Sequence, residues 1–207
     1  MSLGKSPNSR RRSAGRRTGD ELRHEALTAA RQLLLTLGPA GVTLTAVAEQ
    51  LGGSHSNLIH HFGSAEQLQS SLMSSMVTDL SVALSNAFSS LKPGEERSRV
   101  LVDAVFDAFD RGGAGVLSAW IVMSHKQSHL EPVQEAVLQL AHGVRARLER
   151  DFPDRPHYVP ASLLMLTLCA FADALIGREL TDVLHVDRDA TRRLAVQLLP
   201  RLLEIVV

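Results

Sequence analysis

Residues 42–68, VTLTAVAEQLGGSHSNLIHHFGSAEQL, decide how this chain is read. Thr43 suits the N-cap of a short helix whose apolar positions are Leu44, Val47, Ala48 and Leu51. Gly52-Gly53 supplies a turn, and Ser54 or His55 begins a second helix in which Leu58 and Phe62 share a face at i, i+4. Gly63 ends that helix, and Ser64 caps a third that starts at Ala65. The layout is that of a helix-turn-helix, a device for placing a helix in the DNA major groove. A compact helical corner with no DNA in it would share the pattern, so the flanking sequence carries weight.

Upstream, Leu22, Ala26, Ala30, Leu33, Leu34 and Leu37 keep a helical spacing that Gly38-Pro39 stops. Residues 1–18 hold Gly, Ser, Pro and Arg with almost nothing apolar and read as a mobile basic arm. Downstream, a long helix is expected from residue 65 to about 91, closed by Lys92-Pro93-Gly94. Further helices are expected over 97–111, around 116–127, from Pro132 to about 151, over 161–180, and from near 187 to the C-terminus. Pro200 should kink or interrupt the last one. No strand-like alternation appears. The fold class is all-α: a small helix-turn-helix head (19–64) behind the arm (1–18), and a larger helical body (65–207).

Hydrophobic residues make up 44% and charged residues 21%, the balance of an ordinary globular protein. The formal charge of +0 hides an asymmetry: residues 1–63 hold eight Lys and Arg against four acids, and the remainder is correspondingly acidic. A basic front end fits a nucleic-acid contact there, although basic termini are also common as solvated tails. The single cysteine, Cys169, permits no intrachain disulfide and fits a reducing cytoplasm. No secretory leader is evident. The most apolar run, 161–176, is short for a bilayer and carries Asp173, so a core helix is the expectation rather than a membrane contact.

The start of a recognition helix needs small and polar residues, so that backbone approaches phosphates and side chains reach base edges. Ser54, His55, Ser56 and Asn57 have that character, with Asn57 suited to an adenine edge or a phosphate and His55 and His60 to phosphates. Thr43 and Thr45 can add phosphate contacts at the positive end of the preceding helix. The arm residues Arg11, Arg12, Arg16 and Arg17 suit the backbone or the minor groove. Each has an ordinary alternative: Ser and Asn at helix starts are commonly caps, and the adjacent His60-His61 pair suits a solvated helix end.

Leu27-Thr28-Ala29-Ala30, Gly41-Val42-Thr43, Val47-Ala48-Glu49, Leu58-Ile59-His60-His61-Phe62 and Glu66-Gln67-Leu68, in that order, resemble the amino-terminal signature of the TetR family of bacterial transcriptional regulators. The resemblance covers about residues 20–68. It implies a three-helix DNA-binding head, a divergent ligand-binding body, and a homodimer that reads a palindromic operator in double-stranded DNA, most often as a repressor released by a small effector. The chain departs from the family where Ile59 replaces the usual phosphate-holding Tyr and Ala65 the usual Lys. His55-Ser56 also stands in place of Lys-Gly.

For the body, the resemblance places an effector pocket among the fourth to eighth helices. Candidate lining residues are Met73, Met76, Phe106, Phe109, Trp120, Met123, Met165 and Cys169, with His125 and Asp173 as polar elements. Met and aromatic residues at helical spacing are also ordinary core. His125 and His129 have i, i+4 spacing but no third ligand, so no metal and no cofactor are expected. By the same analogy the last two helices form the dimer face through Leu163, Leu166, Ala170, Ala174, Leu194, Leu198, Leu202 and Ile205. No nucleophile elbow, paired His-Glu metal motif or phosphate loop points to an enzyme. The competing function is a helical adaptor that uses the same head for protein contact.

Overall fold

A computed structural model describes residues 18–91, 95–124, 130–151 and 159–204. The sequence candidates Arg11, Arg12, Arg16, Arg17, His125, His129 and Ile205, and the side chain of Leu202, lie outside the described residues. Among the described residues are nine α-helices: α1 (Gly19–Leu37), α2 (Leu44–Gln50), α3 (His55–Phe62), α4 (Ala65–Ser90), α5 (Glu95–Phe109), α6 (Ala114–Met123), α7 (Glu131–Asp151), α8 (Val159–Leu184) and α9 (Ala190–Glu204). A 3-10 turn, Pro39–Gly41, joins α1 to α2. The all-α class is as the periodicity predicts.

The helices begin where capping chemistry allows. Thr18 and Glu21 form a reciprocal capping box on α1: the Glu21 N–H donates to Thr18 Oγ1 at 3.2 Å, and the Thr18 N–H to Glu21 Oε2 at 2.8 Å. Thr43, Ser54 and Ser64 each accept one backbone N–H at the start of α2, α3 and α4. Gly52 and Gly63 turn the chain at φ of 61° and 79°, in the left-handed region where a β-carbon is costly. Pro200 does not interrupt α9, which continues to Glu204. The proline falls close to the helix end, where the hydrogen bond it removes is one of the last.

Two apolar clusters hold the molecule. One joins Ala26, Ala30 and Leu34 of α1 to Val47, Leu58 and Phe62, and continues through Leu68, Leu72 and Met76 of α4 into Leu117 and Ile121 of α6. The head is therefore packed on the body through α4 and α6. The other joins Phe88 of α4 to Val102 and Phe106 of α5, Val144 and Leu148 of α7, Leu166 and Ala170 of α8, and Val196 and Leu199 of α9. Phe109 lies against both. Burying each large side chain fully contributes roughly 1.5–3 kcal/mol.

By length and composition α8 is apolar enough to cross a membrane, with a mean hydropathy of 2.0 in its most apolar window. It packs against α5, α6, α7 and α9, and it carries the buried Asp173. That carboxylate takes both of its bonds from Arg188, whose Nη1 donates to Oδ1 at 2.8 Å and to Oδ2 at 2.7 Å while Nη2 donates to the Asp173 carbonyl at 3.2 Å. The pair fastens the α8–α9 turn to α8. Gly177, one turn on from Asp173, leaves the space: a β-carbon there would come within 2.7 Å of Oδ1.

Candidate nucleic-acid interface

Helix α3 has two faces. Leu58 and Phe62 are buried at 2% and 5% exposure, pinned between α1, α2 and α4. His55, Ser56, Asn57, Ile59 and His60 are exposed, and His61 is half-buried. Ser54 is itself exposed and its hydroxyl accepts the Asn57 N–H at 3.3 Å, which leaves the Asn57 side chain at the surface of the first turn. Thr43 Oγ1 accepts the Ala46 N–H at 3.1 Å, and Thr45 is exposed one residue inside α2. The structure thus brings Thr45, Ser54, His55, Ser56, Asn57 and His60 to the outside of the head, with Ser54 and Thr43 also acting as caps.

Two residues that the sequence did not single out set the pitch of this surface. The Arg23 guanidinium lies 4.8 Å from the Phe62 ring centroid, donates to the His61 carbonyl at 3.3 Å and donates to Ser71 Oγ at 3.0 Å. It ties α1, the end of α3 and α4 together. Gln69 Nε2 donates to the carbonyls of Pro39 at 3.4 Å and Val42 at 3.2 Å, fixing the turn before α2. Both partners lie far away in sequence, so no local pattern marks either residue.

In the body, Met73, Met76 and Phe106 are buried in the two apolar clusters, while Phe109 and Cys169 are half-buried beside them. Trp120, Met123 and Met165 are exposed at 41%, 76% and 46%. Asp173 is bonded to Arg188. None of these lines either of two cavities that the body does contain. One, of about 380 Å³, lies between α5, the α8–α9 turn and α9, and is lined by charge: Arg99, Asp103, Asp110, Arg111, Arg188, Asp189, Arg192 and Arg193 with Val196. Arg192 there is held by Asp107 at 2.8 Å and Asp103 at 3.6 Å. The other, of about 340 Å³, is a groove between α4 and α7. Leu84, Phe88, Leu140 and Val144 form its apolar wall, Ser81 and Ser85 supply hydroxyls, and Arg147 and Arg150 supply cations. Arg147 Nη2 also donates to the Phe88 carbonyl at 2.7 Å, at the end of α4 where a cation is favoured.

The expected dimer residues of α8 face two ways. Leu166 and Ala170 are buried in the chain's own core and Leu163 packs against it; Ala174 is half-buried and sits close to Gly115 of α6. The outward stripe of α8 consists instead of Leu164, Leu168, Ile176, Leu180, Val183 and Leu184. On α9, Leu194 and Leu198 are exposed at 57% and 39%.

Residues 26–72 match the family model described as "Bacterial regulatory proteins, tetR family". A search of curated proteins finds no match. Among solved structures, a protein of unknown function from Rhodococcus sp. RHA1 superposes with a TM-score of 0.67 at 19% identity, covering 94% of this chain and 100% of that one. A transcriptional regulator of the TetR family from Agrobacterium tumefaciens gives 0.61 at 16% identity, covering 89% and 98%. The transcriptional regulator FadR from Bacillus subtilis, solved in complex with stearoyl-CoA, gives 0.60 at 11% identity, covering 85% and 96%.

Proposed function

We propose, on the match of residues 26–72 to the tetR-family model and on a fold shared with a TetR-family regulator, that the chain is a DNA-binding transcriptional regulator without catalytic activity, acting in the cytoplasm as a repressor. The observation that carries this reading is the division of α3. Its buried side is anchored by Leu58 and Phe62, and its first turn presents His55, Ser56 and Asn57 outward. The outward stripe of α8 with Leu194 and Leu198 of α9 serves as a homodimer face, and the dimer sets two recognition helices on a palindromic site.

The effector enters the body, where the α4–α7 groove combines an apolar wall with two arginines. That chemistry suits an amphipathic acid, and FadR of the same fold binds an acyl thioester. Occupancy shifts the population toward a head spacing that no longer meets successive grooves.

Mobility-shift assays with duplex DNA from upstream of the protein's own gene test the reading. Retarded complexes at low salt that weaken with added salt are expected; failure to retard any duplex would overturn it. The adaptor alternative keeps one supporting observation: Ile59, 43% exposed in the middle of the presented face, is an apolar residue where a DNA-reading surface favours polar ones. In that case the head would retain a protein and no duplex.

A further inference from the structure

Residues 42–68 contain no lysine or arginine. Between 18 and 68 there are two arginines, and both are engaged within the protein: Arg23 with Phe62, the His61 carbonyl and Ser71, and Arg31 with Asp79 at 2.9 Å. Five carboxylates occupy the same span: Asp20, Glu21, Glu25, Glu49 and Glu66. With its imidazoles uncharged, the described head therefore carries more negative than positive charge, on a surface meant to meet a dense line of phosphates.

The basic groups on α3 are three histidines. His55 and His60 are exposed and His61 is half-buried, with the His60 and His61 rings 5.7 Å apart edge to face. The helices around α3 add Glu49 from α2, Glu66 from α4, and Asp20, Glu21, Arg23, His24 and Glu25 from α1. Apart from Arg23, which is already tied, and His24, these neighbours are acids. Imidazole is the side chain whose charge changes between pH 5 and 8, and a phosphate beside it favours the protonated form.

We infer that the phosphate grip of this head is made of imidazolium, so that DNA binding takes up protons at His55, His60 and His61. The inference rests on the DNA-binding reading and adds its regulation. Proton uptake on binding means that affinity is highest at acid pH and falls as the histidines discharge. Lys5 and the five arginines of residues 1–17 keep their charge throughout this range, so they set a base level of attraction that does not vary with it.

The test is anisotropy titration of the full chain against a rhodamine-labelled duplex of about 30 base pairs from upstream of its gene. Measurements run near pH 6 and near pH 8 at fixed ionic strength, so that salt does not mask the effect. The affinity is expected to fall about tenfold or more over that interval. The triple variant His55→Gln, His60→Gln, His61→Gln is expected to bind weakly and almost evenly at both values. The triple His→Arg variant at the same positions is expected to bind tightly at both. Circular dichroism confirms that each variant is folded. Wild-type binding that does not change with pH overturns the inference and leaves the regulator standing, as does a pH response that survives in both triple variants. Absence of binding at every pH overturns the regulator reading itself.

Discussion

Single side chains in the head carry separable roles. Thr18→Ala removes the side-chain half of the capping box and is expected to cost about 1 kcal/mol in urea denaturation at neutral pH. Glu21 is held below its ordinary value, first by the Thr18 backbone N–H and then by the Thr18 hydroxyl. A lowered carboxylate stabilises the fold above its unfolded value and loses that contribution as pH falls through the folded one. The penalty of Thr18→Ala should therefore shrink in acid, which denaturation repeated below the usual carboxylate range checks. Asn57 stands exposed at the first turn of α3 and has no part in the buried core. Asn57→Ala is expected to leave stability within about 0.5 kcal/mol. It should weaken binding to the cognate duplex, relative to an unrelated one, by about 1–3 kcal/mol. Competition mobility-shift assays read that difference.

At the level of the helix, legibility tracks contrast in the sequence. The helix-turn-helix could be read because its apolar positions alternate with polar ones, so Leu58 and Phe62 identified their buried face and Ser54 its cap. Helix α8 offers no such contrast. Apolar residues surround it, so periodicity does not separate Leu166 and Ala170, which pack inward, from a partner face. Trp120 similarly sits on a helix apolar all round, α6, and lies at its surface. No local pattern marks the Asp173–Arg188 joint, because its arginine lies in a turn fifteen residues on; Gly177 marks only the clearance. Asp173→Ala strands only the partly exposed Arg188, so the expected cost is about 2 kcal/mol, below that of a fully buried pair. Thermal denaturation measures it. In the groove, Gly143 lies inside α7 with open space where a β-carbon would stand. Gly143→Leu should strengthen the helix by up to about 1 kcal/mol while filling the groove. A higher melting temperature together with loss of effector response is the expected pair of results. If response to an amphipathic acid such as a fatty acid persists in this variant, the groove is not the site.

Across the whole molecule, the proposed dimer through the outward stripe of α8 would tie stability to assembly. Introducing charge with Leu168→Glu and Leu180→Glu is expected to yield a folded monomer or a weakened dimer in sedimentation, together with loss of operator binding. The wild-type melting temperature should rise with protein concentration, as it does for any fold completed by a partner. The stripe also bears on how the chain comes into being. A newly made α8, long and apolar enough to suit a bilayer, has only its inward side covered by the rest of its own chain. On the proposed dimer, the outward half would stay exposed apolar surface until a second copy covers it, open meanwhile to chaperones and to aggregation. On that reading abundance would have a lower limit: too scarce, and a copy meets chaperones before it meets the partner that completes its DNA-binding form.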